Sequence, residues 1–348
     1  MKKNFILFTT LTFLICISCE KKEVPPPDYG SVSLQISDHF LQGYFIQSIA
    51  FDSQGAAWIG TFKQGLIKYD GEATHYTSEN TALPDSIVMW DVAVDKDDNI
   101  WIGSGAGLIK YDRKEFTLYN TSNSPLAEDA VSSIAVDHNN TLWFASCRFR
   151  QGGLMKFDGE HWDLYIPENS KLPSNSVRDV IVDSRNNVWV AMSATVDNGC
   201  IVKIRGDDWT IFDKEEIGFA PYHFKHLAVD MDDNIYAAID YTLSSDQDMT
   251  RPNIIKFDGK NWTINNPVDE KGKSLGYVRK INIDLLGNIW ASLEGKKGLV
   301  LAVYNGEKWI CNDSDFPVDS IFEIAVDKRN RIWLGTEDGI CLIEQPQS

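Results

Sequence analysis

The sequence lacks the motifs that would mark an enzyme or a metal protein. No G-x-S-x-G, H-E-x-x-H or Gly-rich phosphate loop occurs among its 348 residues. Beyond residue 19 there are four cysteines, none in a C-x-x-C pair or a metal-ligand spacing, and we expect them to be unpaired: Cys147, Cys200, Cys311 and Cys341. We therefore expect a protein that is not an enzyme and that has neither a metal site nor a cofactor.

Basic residues are also scarce. Lys and Arg number 33 against 50 Asp and Glu, which gives a formal net charge of −17 at pH 7. So acidic a chain is repelled by nucleic-acid phosphates and by anionic lipid headgroups. We expect no nucleic-acid partner and no membrane binding through charge.

No apolar run is long enough to span a bilayer. The longest, residues 5–17, follows two lysines, as in a secretion signal. It ends near a small residue directly before Cys19, so residues 1–18 resemble a lipoprotein signal peptide, and Cys19 would carry the lipid. Residues 19–30 are charged and Pro-rich, which is typical of an extended tether. We expect an exported protein whose lipid anchors it in the envelope of a diderm bacterium, facing the periplasm or the cell surface; an ordinary signal peptide is the alternative.

What the sequence contains is one repeat, clearest at residues 92–112. An anchor aspartate recurs every 42 to 54 residues, with Gly, Asp or Asn three positions later and an aromatic residue six positions later. The anchors are Asp52, Asp95, Asp137, Asp183, Asp230, Asp284 and Asp327. The aromatic residues are Trp58, Trp101, Trp143, Trp189, Tyr236, Trp290 and Trp333. Seven repeats of this length with strand patterning predict propeller blades.

Each repeat reads as four short strands joined by turns, without helical periodicity. The sequence therefore predicts an all-β fold, a seven-bladed β-propeller over residues 31–345 with four antiparallel strands per blade. After Asp327 there is room for only three strands. Residues 31–37 alternate like a strand, and we expect them to close the ring as the outer strand of the last blade.

The repeated string V-x-x-I-A-V-D-x-x-x-N-I-W-I-G and the later G-L-I-K-Y-D resemble the repeat of the two-component regulator propeller family. The segments at 81–88 and 170–177 resemble that family's linkers between blades. Its propellers are often periplasmic sensor domains of hybrid histidine kinases, many of them linked to glycan fragments. The sequence shows no second propeller, immunoglobulin-like spacer, membrane helix or kinase. The resemblance therefore implies a propeller that binds a ligand, a glycan fragment or a partner protein, without signalling by itself.

A candidate site is predicted at the mouth of the central channel, on the face opposite the anchor turns. Residues four and five positions before each anchor should line it, cations cluster there in blades four to six, and the longest loops lie over blades three to five. The candidate ligand-binding residues are Trp90, Arg178, Tyr222, Lys225, His226, Arg279, Lys280 and Phe322. Cations beside aromatic rings suit an acidic or sulfated sugar. The alternative is that these cations pair with Asp179, Glu323 and nearby carboxylates as a structural network.

Two other functions remain open. One is a structural or assembly lipoprotein without a small ligand. The other is an enzyme similar to streptogramin lyases, whose propellers use a histidine, acidic partners and magnesium on the top face; no such site matches here. His223 and His226 are three residues apart on a predicted strand, so we expect them on opposite faces and not as a metal-binding pair.

Overall fold

The computed structural model describes residues 34–146, 152–193, 199–221, 223–240, 251–295, 298–312 and 316–345. These residues form seven antiparallel four-stranded sheets, and the part described contains a single four-residue helix. The predicted seven-bladed β-propeller is thus confirmed. No helix among these residues has the length and apolarity needed to cross a bilayer. The predicted signal peptide, tether and Cys19 lie outside the described residues.

The elements follow the chain in blade order, from the innermost strand of each blade outwards. Blades one to three contain β2 (Ile46–Phe51), β3 (Ala57–Thr61), β4 (Leu66–Tyr69), β5 (Ala73–Tyr76); β6 (Met89–Val94), β7 (Ile100–Ser104), β8 (Gly107–Tyr111), β9 (Phe116–Tyr119); and β10 (Val131–Val136), β11 (Leu142–Ser146), β12 (Gly153–Phe157), β13 (Trp162–Tyr165). Blades four and five contain β14 (Val177–Val182), β15 (Val188–Met192), β16 (Cys200–Arg205), β17 (Asp208–Phe212), then α1 (Lys214–Ile217); and β18 (His223–Val229), β19 (Ile235–Asp240), β20 (Ile254–Phe257), β21 (Trp262–Ile264). Blades six and seven contain β22 (Tyr277–Ile283), β23 (Ile289–Gly295), β24 (Gly298–Tyr304), β25 (Trp309–Cys311); and β26 (Ile321–Val326), β27 (Ile332–Thr336), β28 (Gly339–Ile343), β1 (Asp38–Phe40).

An N-terminal strand closes the ring, but not the strand that the sequence suggested. β1 (Asp38–Phe40) pairs antiparallel with β28 as the outer strand of blade seven. The predicted strand at 31–37 is wrong in its bounds: residues 31–33 are outside the described part, and residues 34–37 form no strand. Leu34 and Ile36 instead pack on the apolar core between blades six and seven. Their alternation reflects this packing rather than ladder pairing.

The anchor motif is a hydrogen-bonded turn on the bottom face of each blade. Asp95 Oδ1 accepts from the backbone N–H groups of Asp97 and Asn99, both at 2.9 Å, and Asp95 Oδ2 accepts from Trp101 Nε1 at 2.8 Å. The aromatic residue donates in the same way in all seven blades, at 2.8 to 3.2 Å. The residue three positions after each anchor has a positive φ, from 60° to 88°, which Gly, Asn and Asp tolerate best.

The same turns also link neighbouring blades. At five of the seven junctions, the backbone N–H after one anchor donates to the side chain of the positive-φ residue in the next blade, at 2.6 to 2.9 Å. The donor and acceptor pairs are Ser53 and Asp98, Lys96 and Asn140, His138 and Asn186, Ser184 and Asp233, and Leu285 and Asn330. At the other two junctions the acceptor position is Gly55 or Gly287, which has no side chain to accept the bond.

Apolar packing holds the blades face to face. Each core cluster combines residues of two neighbouring blades; one contains Trp101 of blade two with Phe144 and Met155 of blade three. Because both faces of a blade are covered in this way, the repeated tryptophans are buried, and Trp58, Trp189 and Trp290 are among the largest fully buried side chains.

Candidate functional site

A β-bulge sits at the top of every innermost strand. In all seven blades the pairing with the second strand shifts by one residue at the fifth position before the anchor. We call the seven bulged residues the rim: Gln47, Trp90, Ser132, Arg178, Lys225, Arg279 and Phe322. A bulge leaves its extra residue unpaired and re-aims its side chain.

The residue that follows each bulge is polar in every blade. We call these seven residues the inner ring: Ser48, Asp91, Ser133, Asp179, His226, Lys280 and Glu323. Ser48, Ser133 and Glu323 are less than 10% exposed, and the other four are partly buried. The structure therefore separates the predicted mouth into an outward rim and a buried ring below it.

Hydrogen bonds between blades run along the inner ring. Ser48 Oγ donates to Asp91 Oδ1 at 2.9 Å, and Asp91 Oδ2 accepts from the backbone N–H of Ile134 at 2.7 Å. The same arrangement joins blades three, four and five through Ser133 and Asp179. These carboxylates satisfy backbone donors of the next blade, so they have a structural role whether or not a ligand binds.

Blades five to seven complete the ring with charged groups. Lys280 Nζ lies 2.8 Å from Glu323 Oε2, and His226 Nδ1 lies 3.8 Å from Asp179 Oδ2. Burial opposes the charge on Lys280, but Glu323, Asp179 and Asp91 outweigh it and raise its pKa, so the ammonium persists. Two of the predicted ligand-binding residues, Lys280 and His226, therefore lie against carboxylates of the ring.

The same surroundings shift the pKa values of the carboxyl groups and of the imidazole in the inner ring. Burial raises the pKa of Asp91 to about 6, against the opposing charge of Lys280. Burial and Lys280 lower the pKa of His226 to about 4, so the imidazole is neutral at pH 7. Burial also opposes ionisation of Asp179, but His226 and Lys280 outweigh it and lower the pKa of this carboxyl. The ring can thus exchange protons in the mildly acidic range.

A cavity of about 420 Å³ opens at the mouth above this ring. Rim residues from both sides line it, including Trp90 of blade two and Arg279 of blade six. Six of the eight predicted residues converge on it: Trp90, Lys225, His226, Arg279, Lys280 and Phe322. Its volume lies in the range of about 300–1,000 Å³ that small-molecule sites occupy.

Arg178 and Tyr222 are the two remaining predicted residues. Arg178 belongs to the rim and is exposed, but it is not among the residues that line the cavity. Tyr222 lies outside the described residues. The same is true of a large part of the long loops that were predicted over blades three to five. Arg279 forms an ion pair with Glu294, and both side chains are about half exposed. A ligand carboxylate could replace Glu294 at low cost, because exposed pairs contribute little.

An aromatic surface that the sequence did not predict lies beside the cavity. Phe45 packs against Phe322, with ring centroids 4.5 Å apart, and against Phe62, 5.3 Å apart. Phe62 and Phe322 are 41% and 36% exposed, and Lys63 Nζ lies 5.3 Å from the centre of the Phe62 ring. Phe45 and Phe62 sit just before β2 and just after β3, outside the repeated positions, so the repeat pattern gave no signal for them.

The prediction that His223 and His226 lie on opposite faces of the strand was wrong. Lys225 is the bulged residue, and it cancels one step of the strand alternation, so both histidines face blade four. His223 Nδ1 lies 2.6 Å from Ser193 Oγ, whereas His226 faces Asp179. Within the described residues, no group of three His, Cys, Asp or Glu side chains is arranged to hold a metal ion.

Comparison with known proteins supports the repeat assignment. The profile of the family described as "Two component regulator propeller" matches residues 171–194, which span the linker before blade four and its first two strands. The resemblance to this family is thus confirmed. No curated protein matches the sequence.

Solved structures match over nearly the whole chain. The extracellular domain of BT4673 from B. thetaiotaomicron, described as a hybrid two component system, aligns with a TM-score of 0.68 at 15% identity over 90% of this chain and 40% of that one. Virginiamycin B lyase from Staphylococcus aureus aligns at 0.65 with 15% identity, over 89% and 99% of the two chains. PorZ, a surface component of the type-IX secretion system of Porphyromonas gingivalis, aligns at 0.66 with 16% identity, over 89% and 48%. At these identities the likeness shows the fold, and this chain spans 40% of the BT4673 ectodomain.

Proposed function

We propose that this propeller, which carries the two-component regulator repeat, is an exported and non-catalytic binding protein, anchored through lipidated Cys19, whose mouth cavity takes an anionic or polar glycan fragment. The observation that carries the proposal is the cavity of about 420 Å³ in which cations of blades five and six face aromatic rings of blades two and seven. Loss of palmitate incorporation in Cys19→Ala tests the anchor; incorporation that survives the change refutes it.

The chemistry of the cavity suits an acidic sugar. Arg279 and Lys225 stand on the rim, where a ligand can reach them, and Trp90 and Phe322 offer ring faces for the apolar side of a sugar. Each charge-assisted hydrogen bond from the rim to a carboxylate or sulfate contributes about 1.5–3 kcal/mol. Two such bonds give roughly micromolar affinity after ordering costs. Salt should weaken the binding, because the rim is partly open to solvent.

Two features support a non-catalytic role. His226 and Asp179 face each other in the inner ring, but Asp179 also accepts the backbone N–H of Leu227, which ties it to blade five. The aligned region of BT4673 is the extracellular domain of a hybrid two component system, and such a domain is compatible with a binding role. An exported binding propeller is consistent with both the cavity and the alignment.

A protein partner at the same face is the second candidate. The aromatic surface of Phe45, Phe62 and Phe322 continues from the cavity onto the top face. Exposed aromatic side chains beside a pocket are typical of protein interfaces. The PorZ alignment is compatible with an assembly role of this kind. Such a partner would occupy the aromatic surface as well as the cavity.

The test is calorimetric titration with a panel of acidic and neutral oligosaccharides. Arg279→Gln removes a cation from the cavity wall, and Arg178→Gln removes an equal charge from the same rim outside the cavity. We expect Arg279→Gln to weaken binding of an acidic oligosaccharide about tenfold or more, with a smaller effect for Arg178→Gln. Equal losses of affinity in the two variants would show a general charge effect and would contradict the assignment of the cavity as the binding site. If no oligosaccharide binds, the protein partner becomes the leading candidate.

A further inference from the structure

Three apolar side chains are exposed at the bottom turns of blades five and six. Met231 is 78% exposed, Leu285 47% and Leu286 46%. They occupy the two positions after the anchor aspartate. The same positions in the other blades hold Ser53 and Gln54, Lys96 and Asp97, His138 and Asn139, Ser184 and Arg185, and Lys328 and Arg329. The turn therefore does not require an apolar side chain, and these three are particular to one sector of the ring.

The turn tips of blades five, six and seven lie side by side. The backbone N–H of Leu285 donates to Asn330 Oδ1 at 2.7 Å, which joins the tips of blades six and seven. Blades five and six share one apolar core cluster. The tip of blade seven carries exposed Lys328 and Arg329, while the tip of blade five adds exposed Asp232. The apolar side chains are thus flanked by two cations and one carboxylate.

The chain enters the propeller in the same sector. Leu34 packs between blades six and seven, and Asn312 Nδ2 donates to the Leu34 carbonyl at 3.3 Å. Residues 19–33 precede it and span at most about 50 Å when fully extended. A lipid on Cys19 would therefore hold the bottom turns of blades five to seven within reach of a bilayer, at a high local concentration.

We propose that the bottom turns of blades five to seven dock on a lipid bilayer, with Met231, Leu285 and Leu286 entering the headgroup region. The proposal rests on the anchor in the proposed function but not on the ligand at the mouth. Apolar tips flanked by cations suit an interfacial position beside anionic headgroups. The net charge of −17 opposes long-range attraction, so the contact is weak by itself, and the lipid strengthens it by holding the surface close to the bilayer. In this orientation the mouth cavity faces away from the membrane.

The test uses the chain from residue 20 to 348, without lipid or signal peptide. It retains the whole ring, because every described strand lies between residues 38 and 343. We would measure sedimentation with vesicles of phosphatidylethanolamine and phosphatidylglycerol for this chain and for Met231→Ser/Leu285→Ser/Leu286→Ser. The matched control is Phe62→Ser/Phe322→Ser, which removes exposed apolar side chains from the opposite face. Melting curves confirm that each variant is folded.

We expect measurable vesicle binding that falls at least tenfold in the triple variant and stays within twofold in the control. An equal fall in both variants, or no vesicle binding by the parent chain, overturns the proposal. Self-association in solution that the triple variant abolishes would assign the surface to a second copy instead, which also overturns it. Calorimetric titration of the mouth on the same proteins separates the two proposals, because the triple variant leaves the cavity intact.

Discussion

At the scale of single residues, the anchor aspartate and its aromatic partner satisfy each other. A buried indole needs an acceptor for its N–H, and a buried carboxylate needs donors. In blade two, the Asp95 carboxylate accepts hydrogen bonds from a backbone N–H group of the turn and from Trp101 Nε1, and Asp95 is 7% exposed. This reciprocal need explains why the two residues recur together in every repeat.

Trp101→Ala should lower the free energy of unfolding by about 3–5 kcal/mol, the usual range for a large buried aromatic residue. The side chain is 4% exposed and packs in the core between blades two and three. Trp101→Phe keeps much of this packing and loses the bond to Asp95, so it should cost less. Urea denaturation of both variants checks this. A loss below about 1 kcal/mol for Trp101→Ala would contradict the buried role.

Asp91 should make stability depend on pH. Its pKa is raised from 3.8 to about 6 in the folded protein, so the stability it contributes is present below pH 4 and is lost as pH rises through 6. The melting temperature of Asp91→Asn, compared with the wild type, should therefore rise between pH 4 and pH 7. Calorimetric melting across this range measures the difference. Parallel melting curves at all pH values would show that Asp91 does not take up a proton on folding.

At the scale of elements, the bottom turns suggest a stabilising substitution. Gly287 has a φ of 85° and open space around its Cβ direction, and it lacks the side chain that links most other junctions. Gly287→Asn should supply the missing acceptor for the backbone N–H of Met231 and raise the free energy of unfolding by about 0.5–1.5 kcal/mol. Gly287→Ala is the control, because it adds strain without an acceptor. Denaturant titration that ranks Ala above Asn would contradict the linking role of the turns.

The closing strand can be tested by paired truncations. A chain that begins at residue 34 keeps β1 and the packing of Leu34, so its melting temperature should equal that of the mature chain. A chain that begins at residue 42 loses β1 and exposes the edge of β28, and it should melt several degrees lower. Equal melting temperatures for the two truncations would show that β1 does not hold the ring closed.

Some features of these elements could be predicted from the sequence and others could not. The anchor spacing gave the seven blades and placed the mouth residues at two positions per repeat. It could not give the bulge, because no residue type marks it: the bulged position holds Gln47, Trp90 and Arg178 alike. The bulge decides that Lys280 lies in the buried ring while Arg279 reaches the rim. The bounds of β1 were also not predictable, since Leu34 and Ile36 alternate because they pack on the core between blades six and seven.

At the scale of the whole molecule, the two faces differ in kind. The top face carries the cavity, the rim cations and the aromatic surface of Phe45, Phe62 and Phe322. The bottom face carries the hydrogen-bonded anchor turns and the exposed apolar tips of blades five and six. A propeller that binds its ligand with the top face and contacts a bilayer with the bottom face would direct its binding site away from the membrane.

The most direct test of the account is hydrogen–deuterium exchange of the full mature chain, with and without the acidic oligosaccharide that binds most tightly in the calorimetric panel. We expect slower exchange at the tops of the inner strands of blades two, five, six and seven, around Trp90, Lys225, Arg279 and Phe322. The anchor turns on the bottom face should exchange at an unchanged rate. Protection confined to the bottom turns or to the outer strands would contradict the assignment of the mouth as the binding site.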